Sequence, residues 1–131
     1  MKFYVGIMIM ITLLLLTQPA THIMAWHAFN LAQALINAQQ PVEVFFYQDA
    51  ASIANALSWR PQDELNLAHA WQSLDIDLPV CVSAALGRGV VDLDNASRHQ
   101  LPQANLLSGF RMTGLGELAD RMLSAQRTLQ F

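Results

Sequence analysis

The sequence predicts an α/β fold: one domain, a three-layer sandwich with helices on both sides of a mostly parallel sheet of about five strands. Three observations carry this. A continuous apolar run, Ile11-Thr12-Leu13-Leu14-Leu15-Leu16, stops at Thr17-Gln18-Pro19, as a strand covered on both faces does. Segments rich in β-branched and aromatic residues then alternate with segments of helical period, the pattern of strand–helix–strand units around a parallel sheet. Finally, 53% of the 131 residues are hydrophobic and only 13% are charged. A chain of that size and composition builds one core, and its charge content lies well below the usual figure of about 25%. So little charge points to a surface that partners cover.

The elements follow in order. From Thr21 to Gln39, Ala25, Ala28, Phe29, Ala32, Leu35 and Ile36 recur at helical spacing, with Trp26, Asn30, Gln33 and Asn37 opposite. Trp26 is thereby expected on the outer face, where a Trp serves as an interface anchor or as one scattered exposed aromatic. Val42-Glu43-Val44-Phe45-Phe46-Tyr47 reads as a strand, and Ala51 to Leu57 as a short helical stretch ended by Arg60-Pro61. Asp63 is expected to cap a helix running to Leu74. Pro79 introduces the strand Val80-Cys81-Val82, and Ser83 to Leu86 forms a helical turn broken by Gly87 and Gly89. Asp92 to Ser108 is polar and irregular, with a short helix before Pro102. Thr113 is expected to cap a last helix whose inner face is Leu115, Leu118, Ala119, Met122 and Leu123, and Arg127 to Phe131 forms a final strand.

Charge excludes some functions. The net charge is −3, and the seven Lys and Arg residues form no basic stripe, so nucleic acid is not expected as a direct ligand. His22, His27, His69 and His99 show no short ligand spacing with one another or with Cys81, and no metal or cofactor is expected. Asp75 with Asp77 reads as a solvated turn. Asp92 with Asp94 lacks the remaining ligands of a calcium loop. Leu86-Gly87-Arg88-Gly89 is too short for a phosphate-binding loop, and Gly114-Leu115-Gly116 follows no convincing strand, which argues against a dinucleotide fingerprint.

The N-terminus has two readings. Lys2 followed by the apolar run from Phe3 to Leu16 imitates a secretory leader, and it is shorter than the roughly 20 apolar residues of a membrane span. The strand–loop–helix order after Ile11 favours a first strand instead. On that reading residues 1–9 are an extension or a misassigned start, and Met8 and Met10 are alternative starts.

Cys81 is the single cysteine, so neither an internal disulfide nor a Cys-x-x-Cys pair exists. Between Val80 and Val82 it reads first as a small buried hydrophobe. It also reads as a reactive thiol, because the carboxyl end of a parallel strand is where open α/β sheets hold ligands. The helical turn that follows favours an anion there. A thiolate so placed attacks a sulfane sulfur and leaves with it as a persulfide. The residues alone leave both readings open.

Several segments together resemble the TusD/DsrE family of sulfurtransferase subunits. The nearest is Cys81-Val82-Ser83-Ala84-Ala85-Leu86-Gly87-Arg88-Gly89-Val90-Val91-Asp92, similar to the family's cysteine motif. Phe45-Phe46-Tyr47, Phe29 with Ala32 to Ile36, Asn105-Leu106, Gly109-Phe110, Gly114-Leu115-Gly116 and Gln130-Phe131 follow in the family's order. Leu14 to Ala20 sits where the family has its first strand and the loop after it, although Gln18 replaces a glycine and Thr21-His22 replaces Tyr-Gly. That loop is expected to border the cysteine.

The resemblance implies a DsrE-like domain over residues 1–131 and a sulfurtransferase that works through a persulfide on Cys81, without cofactor or metal. It implies a cytoplasmic heterohexamer with TusB- and TusC-like subunits. Sulfur is then accepted from a TusA-like donor and passed to a TusE-like acceptor, towards 2-thiouridine at the tRNA wobble position. Two alternatives accompany it: a DsrE-like subunit of dissimilatory sulfur oxidation, and a non-catalytic structural subunit with Cys81 merely buried.

Overall fold

The computed structural model describes residues 10–131. The reading of residues 1–9 as an extension, and Met8 as a start, lie outside the described residues. Five strands form one sheet: β1 (Thr12–Leu16), β2 (Val42–Phe46), β3 (Leu78–Cys81), β4 (Phe110–Thr113) and β5 (Arg127–Gln130), in the order β4-β3-β2-β1-β5. All pairings are parallel. The helices are α1 (Ile23–Asn37), α2 (Leu67–Ser73), α3 (Val82–Leu86), α4 (Leu93–Arg98) and α5 (Leu115–Ser124), with a 3₁₀ segment at Gln48–Ala54. The expected α/β sandwich with a mostly parallel sheet of about five strands is borne out, the sheet being parallel throughout.

Strand order fixes the layers. From β1 to β4 the chain steps one way across the sheet, then returns from β4 at one edge to β5 at the other. Right-handed crossovers therefore place α1 and α2 on one face and α5 on the opposite one. The contacts agree. Phe29 of α1 and Trp71 of α2 meet edge to face at 5.3 Å, and Trp71 meets Phe46 of β2 at the same distance. On the other face, Arg121 of α5 pairs with Glu43 of β2. Glu43 and Phe46 are three residues apart, and alternation along a strand sends them to opposite faces.

β1 is buried along its whole length, as expected of a central strand covered on both sides. Its carboxyl end is tied to the end of the chain: Thr17 donates from both N–H and Oγ1 to the Phe131 carbonyl, each at 2.8 Å. Pro79 brings no N–H to the ladder of β3, and the pairing of β2 with β3 is confined to Phe46 and Val80.

Four expectations are corrected. Asn66, not Asp63, caps α2: its Oδ1 accepts from His69 N–H at 3.2 Å. The cysteine strand stops at Cys81, and Val82 already belongs to α3. Gly114 rather than Thr113 precedes α5, and Thr113 instead ends strand β4, whose other residues carried no sequence assignment. Trp26 is not free on the outer face of α1. It is half-buried, and its Nε1 donates to the Ala20 carbonyl at 2.8 Å. The helix is wide enough in contact that its stripe extends onto this side chain.

The last helix differs most. Of the expected inner face only Leu118 is buried; Leu115 and Met122 are each 46% exposed and Leu123 is 86% exposed. The side of α5 that meets the sheet is instead polar. Arg121 reaches Glu43 at 3.2 Å, Asp77 at 2.8 Å and Glu117 at 3.0 Å, and Arg111 of β4 grips Asp77 at 2.7 and 2.8 Å. Apart from Leu118, the apolar stripe is left outside.

Candidate functional site

Cys81 is the last residue of β3 and the residue before α3. It pairs in register with Thr113, whose Oγ1 donates to Glu117 of α5 at 3.0 Å, so the thiol belongs to the sheet face that α5 covers. Val80, one residue earlier, points to the aromatic face with Phe46. The thiol therefore stands at the carboxyl edge of the sheet, where ligands of open α/β folds are held.

Around it is a shallow depression of about 330 Å³, lined by Tyr47, Gln48, Cys81, Ser83, Ala84, Arg88 and Leu115. Three loops meet there: the turn after β2, the α3 turn with its exit, and the start of α5. Cys81 is 2% exposed and forms the floor. Its side chain makes no capping hydrogen bond to α3. The five-residue helix contributes less than the sequence implied, since the dipole sums over aligned peptide units. Gln48, on the opposite rim, holds a left-handed backbone with φ of 51°, a conformation that costs a non-glycine residue free energy and marks a turn held by its surroundings.

The one formal charge on the rim is Arg88, two turns beyond Cys81. Its Nε donates to Asp49 Oδ1 at 2.9 Å, its Nη2 lies 2.8 Å from the same oxygen, and its Nη1 donates to the Ala84 carbonyl at 3.1 Å. The backbone that carries it is pinned. Gly89 occupies φ of 76°, which glycine adopts without strain. Asn105 accepts from Val91 N–H at 2.7 Å and donates to the Gly89 carbonyl at 2.8 Å. By resemblance Arg88 stands within the cysteine motif, but the sequence assigned it no role and rejected its surroundings as a phosphate loop. Only its pairing with Asp49, 39 residues away, reveals where it points.

The loop after β1, expected to border the cysteine, does not line this depression. Pro19, Ala20 and Thr21 line a larger neighbouring groove of about 540 Å³ with Ser58, Trp59 and Arg60. The acidic pairs set aside from sequence also find their places. Asp92 caps α4, accepting from Asn95 N–H at 2.9 Å, and Asp94 pairs with Arg98 at 3.2 Å. Asp75 takes a left-handed turn, but Asp77 is no free turn residue. Its carboxyl is held below the usual range, chiefly by hydrogen bonds from Arg111. Glu117 is pulled down to about 2, first by Arg111 and then by Thr113 and Arg121, against the opposing effect of burial. This cluster is structural in character: it joins α5 to the sheet. Among the described residues no group of three His, Cys, Asp or Glu side chains gathers as a metal site would.

A parallel α/β sheet with a lone thiol at its carboxyl edge defines a class of small thiol proteins, and comparison with known chains narrows it. Residues 10–131 match the model of the DsrE/DsrF-like family, and the chain belongs to that family. It is 46% identical to the Sulfurtransferase TusD homolog of Vibrio parahaemolyticus, over 79% of this chain and 83% of the relative. It is 42% identical to Sulfurtransferase TusD of Salmonella enteritidis, over 79% and 85%. The crystal structure of the ychN protein from E. coli superposes with a TM-score of 0.73, covering 95% of this chain and all of that one at 21% identity, a likeness of fold. The expected resemblance to TusD/DsrE chains is borne out, and the class expected of the chain, a sulfurtransferase, is the one its relatives carry by name.

Proposed function

We propose that this protein carries sulfur as a persulfide on Cys81. The observation that carries the reading is the position of its single cysteine: on the floor of a depression at the carboxyl edge of the sheet, in a chain whose relatives are named sulfurtransferases. Sulfur arrives when the Cys81 thiolate attacks the outer sulfur of a donor persulfide, and leaves when an acceptor thiolate attacks the outer sulfur of the Cys81 persulfide. Neither step needs a cofactor or metal.

A TusA-like protein donates, a TusE-like protein accepts, and TusB- and TusC-like subunits complete a heterohexamer in the cytoplasm, towards 2-thiouridine at the tRNA wobble position. One domain over residues 1–131 holds the site. Three features support this: the names of the relatives, the exposed apolar stripe on α5, and an acidic balance suited to protein rather than nucleic-acid partners. No helix among the described residues is long and apolar enough to cross a membrane.

One observation favours a second reading, a structural subunit: Cys81 is almost wholly buried, as inert cysteines are. A relay assay separates the two. Persulfidated TusA-like donor, this protein with its TusB- and TusC-like partners, and TusE-like acceptor are mixed, and the acceptor's persulfide is followed by mass. The carrier reading predicts acceptor labelling that is lost with Cys81→Ser. Undiminished labelling with that variant supports the structural reading.

A further inference from the structure

We propose that Arg88 is the group that holds the transferred sulfur, donating hydrogen bonds to the terminal sulfur anion of the Cys81 persulfide, with Asp49 as the residue that positions it. The proposal rests on the persulfide reading and adds to it a residue for the anion.

The geometry starts from the depression. Lengthening the Cys81 side chain by one sulfur moves the reactive atom off the floor and into the space lined by Tyr47, Gln48, Ser83, Arg88 and Leu115. The charge moves with it. The Cys81 thiolate attacks the outer sulfur of a donor R–S–S–H, and the new S–S bond forms as the donor's S–S bond breaks. The departing R–S⁻ takes the bonding pair and then the proton of the transferred sulfur, which leaves Cys81–S–S⁻ and R–SH. The product anion faces a wall whose one formal charge is Arg88.

Arg88 has donors to spare. A guanidinium has five N–H groups, and the contacts to Asp49 Oδ1 and the Ala84 carbonyl use three. Two N–H groups have no partner among the described residues. The fork is also held in place. Asp49 anchors one side, Ala84 the other, and Asn105 clamps the backbone at Gly89 and Val91. Asp49 offsets part of the positive charge, so directed hydrogen bonds, more than bare attraction, carry the effect. Such charge-assisted bonds are about twice as strong as neutral ones.

The test uses the full chain with glutathione persulfide as the probe, and intact mass spectrometry reads the fraction of protein carrying one added sulfur at equilibrium. Arg88→Gln is expected to lower the ratio of loaded to unloaded protein about tenfold, the worth of one charge-assisted bond. Arg88→Lys, which keeps the charge but not the fork, is expected to fall between. Asp49→Asn is expected to lower the ratio about threefold while Arg88 stays in place, the smaller effect of a lost tether. Thermal melts within a few degrees of wild type show that the fold is intact, and the Lys variant separates charge from packing. Equal loading of wild type and Arg88→Gln overturns the proposal alone, as does equal loss in the Lys and Gln variants. A wild type that takes up no sulfur overturns the persulfide reading and this proposal with it.

Discussion

Arg121 of α5 meets Asp77, at the entrance to β3, at 2.8 Å across 44 residues of sequence. The same guanidinium pairs with Glu43 of β2 and with Glu117 one turn back on its own helix. One side chain thus fastens the returning helix to two strands. Replacing it with Met keeps the stem and removes the charge, leaving Arg111 as the cation for Asp77 and Glu117 and taking from Glu43 its one ion pair among the described residues. We expect Arg121→Met to cost about 1–2 kcal/mol, because the cluster is partly solvated. Urea unfolding measures this, and an unchanged midpoint would show the pairs to be ornamental.

The same cluster sets an acid limb. Glu117 is pulled down to about 2 in the folded chain from an ordinary value of 4.5, so the folded state binds its proton less readily than the unfolded state. The stability this contributes is present in full above pH 4.5 and disappears as pH falls towards 2. After allowance for solvent screening it amounts to about 2 kcal/mol. Asp77 is lowered in the same direction and adds to the effect. Unfolding curves taken between pH 5 and pH 2 should show the loss, and Glu117→Gln should flatten it. An equally steep limb in that variant contradicts the assignment.

What was legible in the sequence followed burial. β1, α1 and β2 present long apolar signals, and the cysteine strand is bracketed by Pro79 and Gly87. β4 was not legible because it has four residues, two of them Arg111 and Thr113, and its partners are distant in sequence. Helix α5 misled in another way. Periodicity located its apolar stripe correctly, but which side faces the sheet is decided by Glu43, Asp77 and Arg111, which no local pattern connects to the helix. At the site, Cys81 was legible from its strand and motif. Arg88 lies in the same motif, but its role was not legible, because it depends on Asp49 in another loop.

The aromatic face makes a prediction of its own. Trp71 is wholly buried between Phe29 and Phe46, and its Nε1 has no hydrogen-bond partner among the described residues. Trp71→Ala is expected to cost about 3–5 kcal/mol. Trp71→Phe should cost much less, since it removes an unpartnered N–H along with part of the ring. Comparable losses in the two variants, measured by thermal or urea unfolding, would contradict the packing account.

In the proposed assembly, the bare stripe of α5 is where partner subunits are expected to sit. Leu123 is the most exposed of its apolar residues, and a solvent-facing substitution there costs the isolated chain within about 0.5 kcal/mol. Leu123→Glu is therefore expected to leave the melting temperature nearly unchanged yet to weaken assembly with TusB- and TusC-like subunits by about 2 kcal/mol if the stripe is a hot spot. Trp26→Ala should behave in the opposite way and lower stability first, because Trp26 is bonded to Ala20 and packed on the core. Analytical ultracentrifugation of the co-expressed subunits separates the two. An undisturbed complex with Leu123→Glu removes the stripe from the interface.

The central claim, that Cys81 bears the sulfur, is tested most directly by intact mass. Wild-type protein and Cys81→Ser are each incubated with persulfidated TusA-like donor, freed of it and weighed before and after reduction. The wild type should gain the mass of one sulfur atom and lose it to the reductant. Cys81→Ser should gain nothing while keeping its melting transition, the substitution being close to isosteric. A wild type that gains no sulfur, or a serine variant that gains as much, contradicts the account.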